Sequence, residues 1–214
     1  MRFDWLWAQS DKIFNLFLWH SYLAIVPVVI GLILAIPVGW GIHHLPSVKS
    51  AIVNLFGLLY TIPSLALFVL LPPLLHTQIL DPINVVVALA IGSFALLVCT
   101  VCDGLDSVSA DTRQSAAALG YKPAQQFFQI DLPLAVPVIG SGLRVAVVSN
   151  VSIVSVAALI GAPQLGSLFT LGFQLQFLTP IIAGIALSII LALLLDMLVV
   201  YATRQLSRWQ PQRG

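Results

Sequence analysis

Polar residues interrupt the apolar pattern of this chain only at intervals and leave five long hydrophobic stretches, at residues 21–41, 51–71, 83–102, 138–160 and 180–202. A hydrocarbon layer of ~30 Å, crossed at 1.5 Å per residue, takes about 20 such residues. The period-two alternation of barrel strands is missing, so helices are the spanning elements. The pattern predicts an all-α membrane protein with about five transmembrane helices. Prolines at Pro27, Pro37 and Pro63 fall inside these stretches, where each removes a helix hydrogen bond and favours a kink.

Between the third and fourth spans, residues 103–137 are polar and carry helical punctuation of their own. Asp111 with Gln114 three positions later fits a capping box and predicts a helix start there. Gly120 predicts its end, because glycine takes the left-handed conformation that terminates helices. Pro123 suits the first turn of a second short helix running through Ile130, with Leu132-Pro133 ending it. Phe127 and Phe128 on that helix are expected to dock into an apolar groove of a partner.

Composition sharpens the class. Of 214 residues, 59% are hydrophobic and 8% charged, with nine Lys or Arg and a formal net charge of +1. That balance excludes a water-soluble fold and disorder, and the lack of basic runs excludes nucleic acid as a partner. The cations are unevenly spread. Lys49, Arg113, Lys122, Arg204, Arg208 and Arg213 flank one side of the predicted spans, against Arg2 and Lys12 on the other. The positive-inside rule then puts the loop 103–137 and the tail 203–214 in the cytoplasm and the N-terminus outside. Residues 1–20 contain no long apolar h-region and are read as a retained interfacial segment anchored by Trp5, Trp7 and Trp19.

Small and polar residues at helical spacing mark faces that pack inward or line a path. Gly184, Ser188, Ala192 and Asp196 recur at i+4 in the fifth span, and Ser149, Ser152 and Ser155 at i+3 in the fourth, with Asn150 beside them. Asp196 is expected to be protonated, paired or wet, since a carboxylate at a helix centre costs at least ~2.5 kcal/mol on insertion scales. Arg144 is expected to snorkel to the headgroups or to sit at an interface.

Several chemistries lack their residues. A P-loop needs G-x-x-x-x-G-K-[ST], and although Gly161 and Gly166 have the spacing, Ser167-Leu168 follows. Cys99 and Cys102 form a C-x-x-C without a second ligand pair and are read as buried free thiols. His43 and His44 are adjacent and diverge on a helix, while His20 and His76 stand isolated. No catalytic, cofactor-binding or metal-binding residue is assigned.

The polar loop resembles a known motif. Ser115-Ala116-Ala117, Gly120 and Ile130-Asp131-Leu132-Pro133 reproduce the spacing of the E-A-A-x-x-x-G-x(9)-I-x-L-P loop of permease subunits in bacterial ABC importers. With Gly120 as anchor, its E-A-A falls on Gln114-Ser115-Ala116. Thr61-Ile62-Pro63-Ser64-Leu65-Ala66-Leu67 resembles the T-I-P-S-L-A-L of the glycine betaine, carnitine and choline branch. Gly142-Leu143-Arg144 and Ala157-Ala158-Leu159-Ile160-Gly161-Ala162 are similar to further signatures of that branch. Gln114 stands where the loop has Glu, Pro163-Gln164 where the branch has Gly-Gly, and Cys99 where an arginine is expected.

The resemblance implies a type I ABC importer transmembrane domain whose cytoplasmic coupling helix seats in a separate ATPase. It implies a second permease subunit, two ATPase subunits and an extracytoplasmic solute-binding protein in the inner membrane, with ATP-Mg used by the ATPase. Expected coupling residues are Gln114, Ser115, Ala116, Gly120, Phe127, Phe128, Ile130, Leu132 and Pro133. Expected pathway or gate residues are Pro63, Ser64, Ser149, Asn150, Ser152, Ser155, Ser188 and Asp196. The rival readings are a permease for another small solute such as an amino acid, an ion-coupled carrier or channel using Asp196, and a membrane scaffold.

Overall fold

The computed structural model describes residues 2–209, so Arg213 lies outside the described residues. A short helix α1 (Phe3–Ala8) leads into α2 (Ser10–His43), whose 34 residues extend about 51 Å at 1.5 Å per residue. The boundary expected at residue 21 is therefore not a helix boundary. Leu16 is buried with Leu165 and Leu168, and Ile13 and Phe17 pack on them, which keeps the segment before residue 21 helical and attached. Pro27 and Pro37 lie inside α2 without ending it.

The second expected span is not one rod. Helix α3 (Pro46–Tyr60) and helix α4 (Ser64–Leu75) meet at 90°. Pro63 disfavours helical backbone at Ile62, and its own ψ of 123 is extended, so the chain turns there and restarts. With 15 and 12 residues, neither arm alone reaches across a ~30 Å layer. The sequence reading of a kink at Pro63 thus understates a full break.

Helix α5 (Pro82–Asp106) is the hub. Its start is fixed by Asp81, whose Oδ1 accepts from the Ile83 N–H at 3.0 Å. It packs against α2, α3 and α4, and 56% of its apolar window is buried. Van der Waals fit holds helices together where lipid tails are as apolar as side chains. Gly31 of α2 shows this: a Cβ there would sit 2.8 Å from the Phe94 backbone nitrogen, so only glycine permits that crossing.

Helix α6 (Ala110–Ala118) begins earlier than the capping-box reading, because Ser109 and not Asp111 is the cap. Ser109 Oγ accepts from the Thr112 N–H at 3.2 Å, leaving Asp111 in the first turn, where its charge suits the helix dipole. The end matches expectation. Gly120 has φ +83, the Gly120 N–H reaches the Ala117 carbonyl at 3.0 Å, and the Tyr121 N–H reaches that of Ala116 at 3.2 Å. These two bonds make a Schellman closure.

Helix α7 (Pro123–Gln126) starts at the expected proline but is not a separate short helix. The chain passes through a π-turn at Phe127–Asp131 straight into α8 (Leu132–Val154). Leu132-Pro133 does not end the helix. The Leu132 N–H reaches back five residues to the Phe127 carbonyl, and this widened turn accommodates the proline ring and its missing donor. After a 3₁₀ segment at Ser155–Ile160, the whole of Pro123–Ile160 is one helical rod of 38 residues. Gly161 turns the chain into a loop, then come α9 (Ser167–Gln174) and α10 (Leu178–Leu206).

Among the described residues, four helical stretches are long and apolar enough to cross a membrane, or five if the bent α3–α4 pair counts as one span. Only 22% of the α10 window is buried, which makes it the outermost of them.

Candidate functional site

At the end of the bundle where α2 and α5 stop and α3 begins, α6 is fastened by one side chain. The Arg113 guanidinium donates through Nε to Asp131 Oδ1 at 3.2 Å, through Nη1 to His43 Nε2 at 2.6 Å, and through Nη2 to the Leu105 carbonyl. Asp131, in the π-turn, is only 7% exposed and also accepts from Gln126 Nε2 at 3.5 Å. His43 Nδ1 lies 3.1 Å from Asp106 Oδ1, and Asp106 is bridged in turn by Lys49 of α3. One guanidinium therefore joins α6 to α2, α5 and the rod, and Asp106 extends the chain to α3. An arginine fork can do this because its donors are rigidly splayed, unlike a lysine's single point charge.

The expected coupling residues divide around this clamp. Gln114, Ser115 and Gly120 lie on its exposed side, Ala116 is buried at 2%, and Ile130, Leu132 and Pro133 are half-buried. Phe127 departs from its expected docking role. It is buried inside the chain with its ring 4.8 Å from that of Trp40, whereas Phe128 beside it is 64% exposed. Exposed Leu119 and Tyr121 join Phe128 on the outer surface of this region. The sequence reading did not name Arg113, His43 and Asp106 as a site. They are separated by 70 and 63 residues in the His43–Arg113 and His43–Asp106 pairs. The available signal was scarcity: charged side chains at helix ends are few in an 8% charged chain.

Deeper in the bundle, the angle between α3 and α4 opens a cavity of about 200 Å³ against α5 and α8. Its polar lining is Tyr60, Ser64, Ser93, Ser149 and Asn150, without any charged side chain, among Leu59, Ile62, Leu89 and Ile153. Asn150 is buried and fixed by Nδ2 donating to Ser93 Oγ at 3.1 Å and to the Ala24 carbonyl at 3.4 Å. Those two bonds fix the Asn150 side chain between α2 and α5 at the cavity wall. Of the expected pathway residues, Ser64, Ser149 and Asn150 meet here, and Pro63 makes the break beside them.

The others lie elsewhere. Ser152 is exposed, and the Ser155 carbonyl accepts from Gln164 Nε2 at 3.4 Å. Ser188 Oγ is buried without a hydrogen-bond partner among the described residues. Asp196 is paired, with Oδ1 2.6 Å from Arg144 Nε and Oδ2 2.9 Å from Arg144 Nη2. Arg144 therefore does not snorkel free. His20, expected to be isolated, is fully buried and bonded to the Val151 carbonyl at 3.0 Å and Gln164 Oε1 at 3.2 Å. Cys99 and Cys102 are free thiols, half-buried and buried.

Residues 27–208 match the family model of the binding-protein-dependent transport system inner membrane component. The choline transport system permease protein OpuBB of Bacillus subtilis (strain 168) is 28% identical over 194 residues, covering 91% of this chain and 88% of that protein. The osmoprotectant import permease protein OsmW of Salmonella typhimurium is 32% identical over 181 residues, covering 84% of each. Among solved structures, the MetNI methionine ABC transporter in an inward-facing form superimposes with a TM-score of 0.81 over 93% of this chain and 98% of that one, at 20% identity. The apolar spans and these matches make the chain a multi-pass inner-membrane protein of the permease type, and it belongs to the binding-protein-dependent transport system inner membrane component family.

Proposed function

We propose that this chain is the permease subunit of an ATP-driven importer for osmoprotectants or quaternary amines such as glycine betaine, choline or carnitine. The N-terminus lies outside and the tail 203–214 inside. Residues 1–20 sit at the outer interface, residues 21–202 form the transmembrane permease domain, and the loop 103–137 faces the cytoplasm. The assembly contains a second permease subunit, two ABC ATPase subunits and an extracytoplasmic solute-binding protein, with lipid around the spans. The partner ATPase uses ATP-Mg, and this chain binds no cofactor.

The observation that carries this reading is the unbroken rod Pro123–Ile160, clamped to α6 at one end and lining the cavity with Ser149 and Asn150 further along. A push on α6 by the ATPase, received by Gln114, Ser115 and the exposed Leu119, Tyr121 and Phe128, displaces Asp131 and with it the whole rod. Movement of the rod changes the cavity walls against the α3–α4 bend. Two packing states of those walls suffice for alternating access. The solute reading rests on the relatives that carry choline and osmoprotectants, and a cavity with one phenol, hydroxyls and an amide suits a small solute of zero net charge or a quaternary amine.

Two tests separate the readings. Proteoliposomes holding the chain with its ATPase and binding protein are expected to take up labelled choline or glycine betaine only with ATP. Uptake by the chain alone, driven by an ion gradient, overturns the proposal in favour of a carrier. Asp196, the titrating group of that rival, does not line the cavity and is occupied by Arg144.

A further inference from the structure

Arg113 has only donors, so its 2.6 Å contact with His43 requires an unprotonated Nε2 that accepts. The ring's proton must then sit on Nδ1, where Asp106 Oδ1 at 3.1 Å receives it. The clamp thus selects one tautomer of a neutral histidine, and a second proton would place an N–H against the guanidinium. Resting on the coupling role proposed above, we infer that this clamp is a proton-sensitive link: it is complete while His43 is neutral and opens when His43 is protonated from the cytoplasmic side.

Four elements bring groups to His43. Arg113 approaches from α6, Lys49 from α3 and Asp106 from α5, Asp131 of the π-turn holds Arg113 from the far side, and His44 meets the ring edge-on at 5.9 Å between centroids. Two cations and one carboxylate act on the ring directly. Asp106 gains no new hydrogen bond from the second proton, because the Nδ1–H bond exists in the neutral form. The new N–H at Nε2 meets only Arg113. Opening therefore breaks the α6–α2 bond first and leaves Arg113 held by Asp131 and the Leu105 carbonyl, so α6 stays on the rod but loses its grip on α2. Arg113 is the positioning residue of this link and His43 its titrating partner.

The test uses the full chain in lipid nanodiscs without any partner. Nitrogen NMR of a histidine-labelled sample, with His43 assigned by comparison with His43→Gln, is expected to show the Nδ1–H tautomer at about pH 8 and both nitrogens protonated only on the acid side of the ordinary histidine range, because burial and the neighbouring Arg113 and Lys49 charges oppose the second proton. Over the same interval the hydrogen-exchange protection of α6, corrected for the intrinsic pH dependence of exchange, is expected to fall roughly tenfold, the equivalent of one charged hydrogen bond. His43→Gln, whose side chain stays neutral, is expected to remove that step. Arg113→Gln is expected to lower protection at alkaline and acid pH alike and also to remove the step. An Nε2–H tautomer at alkaline pH, constant protection in the native chain, or a step that survives in His43→Gln overturns the inference. These readings need no ATPase. Failure of an ATPase to bind α6 instead sinks the coupling role and leaves the proton-dependent clamp standing.

Discussion

Two stretches of this chain carry proline in apolar sequence and end in opposite structures. At Pro63 the helix breaks and α4 leaves α3 at 90°, whereas Pro133 is absorbed in a rod that runs from Pro123 to Ile160. The local chemistry is the same: no donor, a ring against the preceding turn, and a restricted residue before it. What differs is the packing. Helix α3 packs on α5 only through half-buried side chains and Ile62 itself is exposed, so packing at the break does not force Ile62 into helical conformation. Ahead of Pro133, Asp131 is tied to Arg113, and Phe127 is wedged on Trp40. The tethered backbone takes the widened π-turn, and the free one turns a corner. The break makes a cavity wall and the rod makes a lever.

Loss of the tether has the largest expected effect. Among the described residues, Arg113→Ala leaves Asp131 buried with Gln126 as its side-chain partner, a loss of about 3 kcal/mol. Exchange protection across α6 and Phe127–Asp131 should collapse and ATP-driven uptake with it. Native-like protection in that variant means the rod is held by something other than the clamp.

Gly120→Val comes next. An added Cβ meets no atom within 4 Å, so the cost is that of φ +83 for a β-branched residue, about 1–2 kcal/mol. Membrane insertion is expected to be intact while ATP hydrolysis runs without uptake. Coupled uptake at the native rate counts against α6 as the point of entry for the motion.

Pro63→Ala tests the other side of the comparison, and its effect is expected to stay within about 1 kcal/mol of stability. With the ring gone, α3 and α4 should straighten, and spin labels at exposed Leu55 and Val69 should move apart. An unchanged separation shows that the cavity wall, not proline, sets the angle. The smallest effect is expected for Pro133→Ala. The rod is already continuous, so exchange protection of α8 should change less than twofold, about 0.4 kcal/mol.

Much of the architecture was legible in sequence. The all-helical membrane class, four long apolar spans with a fifth stretch that is bent, a helix in the polar loop, its stop at Gly120 and the proline start at Pro123 are present. Each rests on local chemistry or on a length set by the bilayer. The misreadings share one cause. Ser109 displaced Asp111 as cap, Pro133 failed to end its helix, and Phe127 turned inward to Trp40. Each outcome depended on a competing neighbour, near or far, that the motif itself does not contain. The stripes behaved likewise, since Ser149 and Asn150 reached the cavity while Asp196 was taken up by Arg144.

Sequence alone therefore determined that this chain is an all-helical membrane protein and where its apolar stretches and local stop at Gly120 fall, because hydrocarbon thickness and backbone donors act at short range. Only tertiary structure decided which proline bends, which aromatic docks and which histidine meets an arginine. Those depend on packing and on rare charged groups brought together across tens of residues, and no periodicity along the chain encodes such meetings.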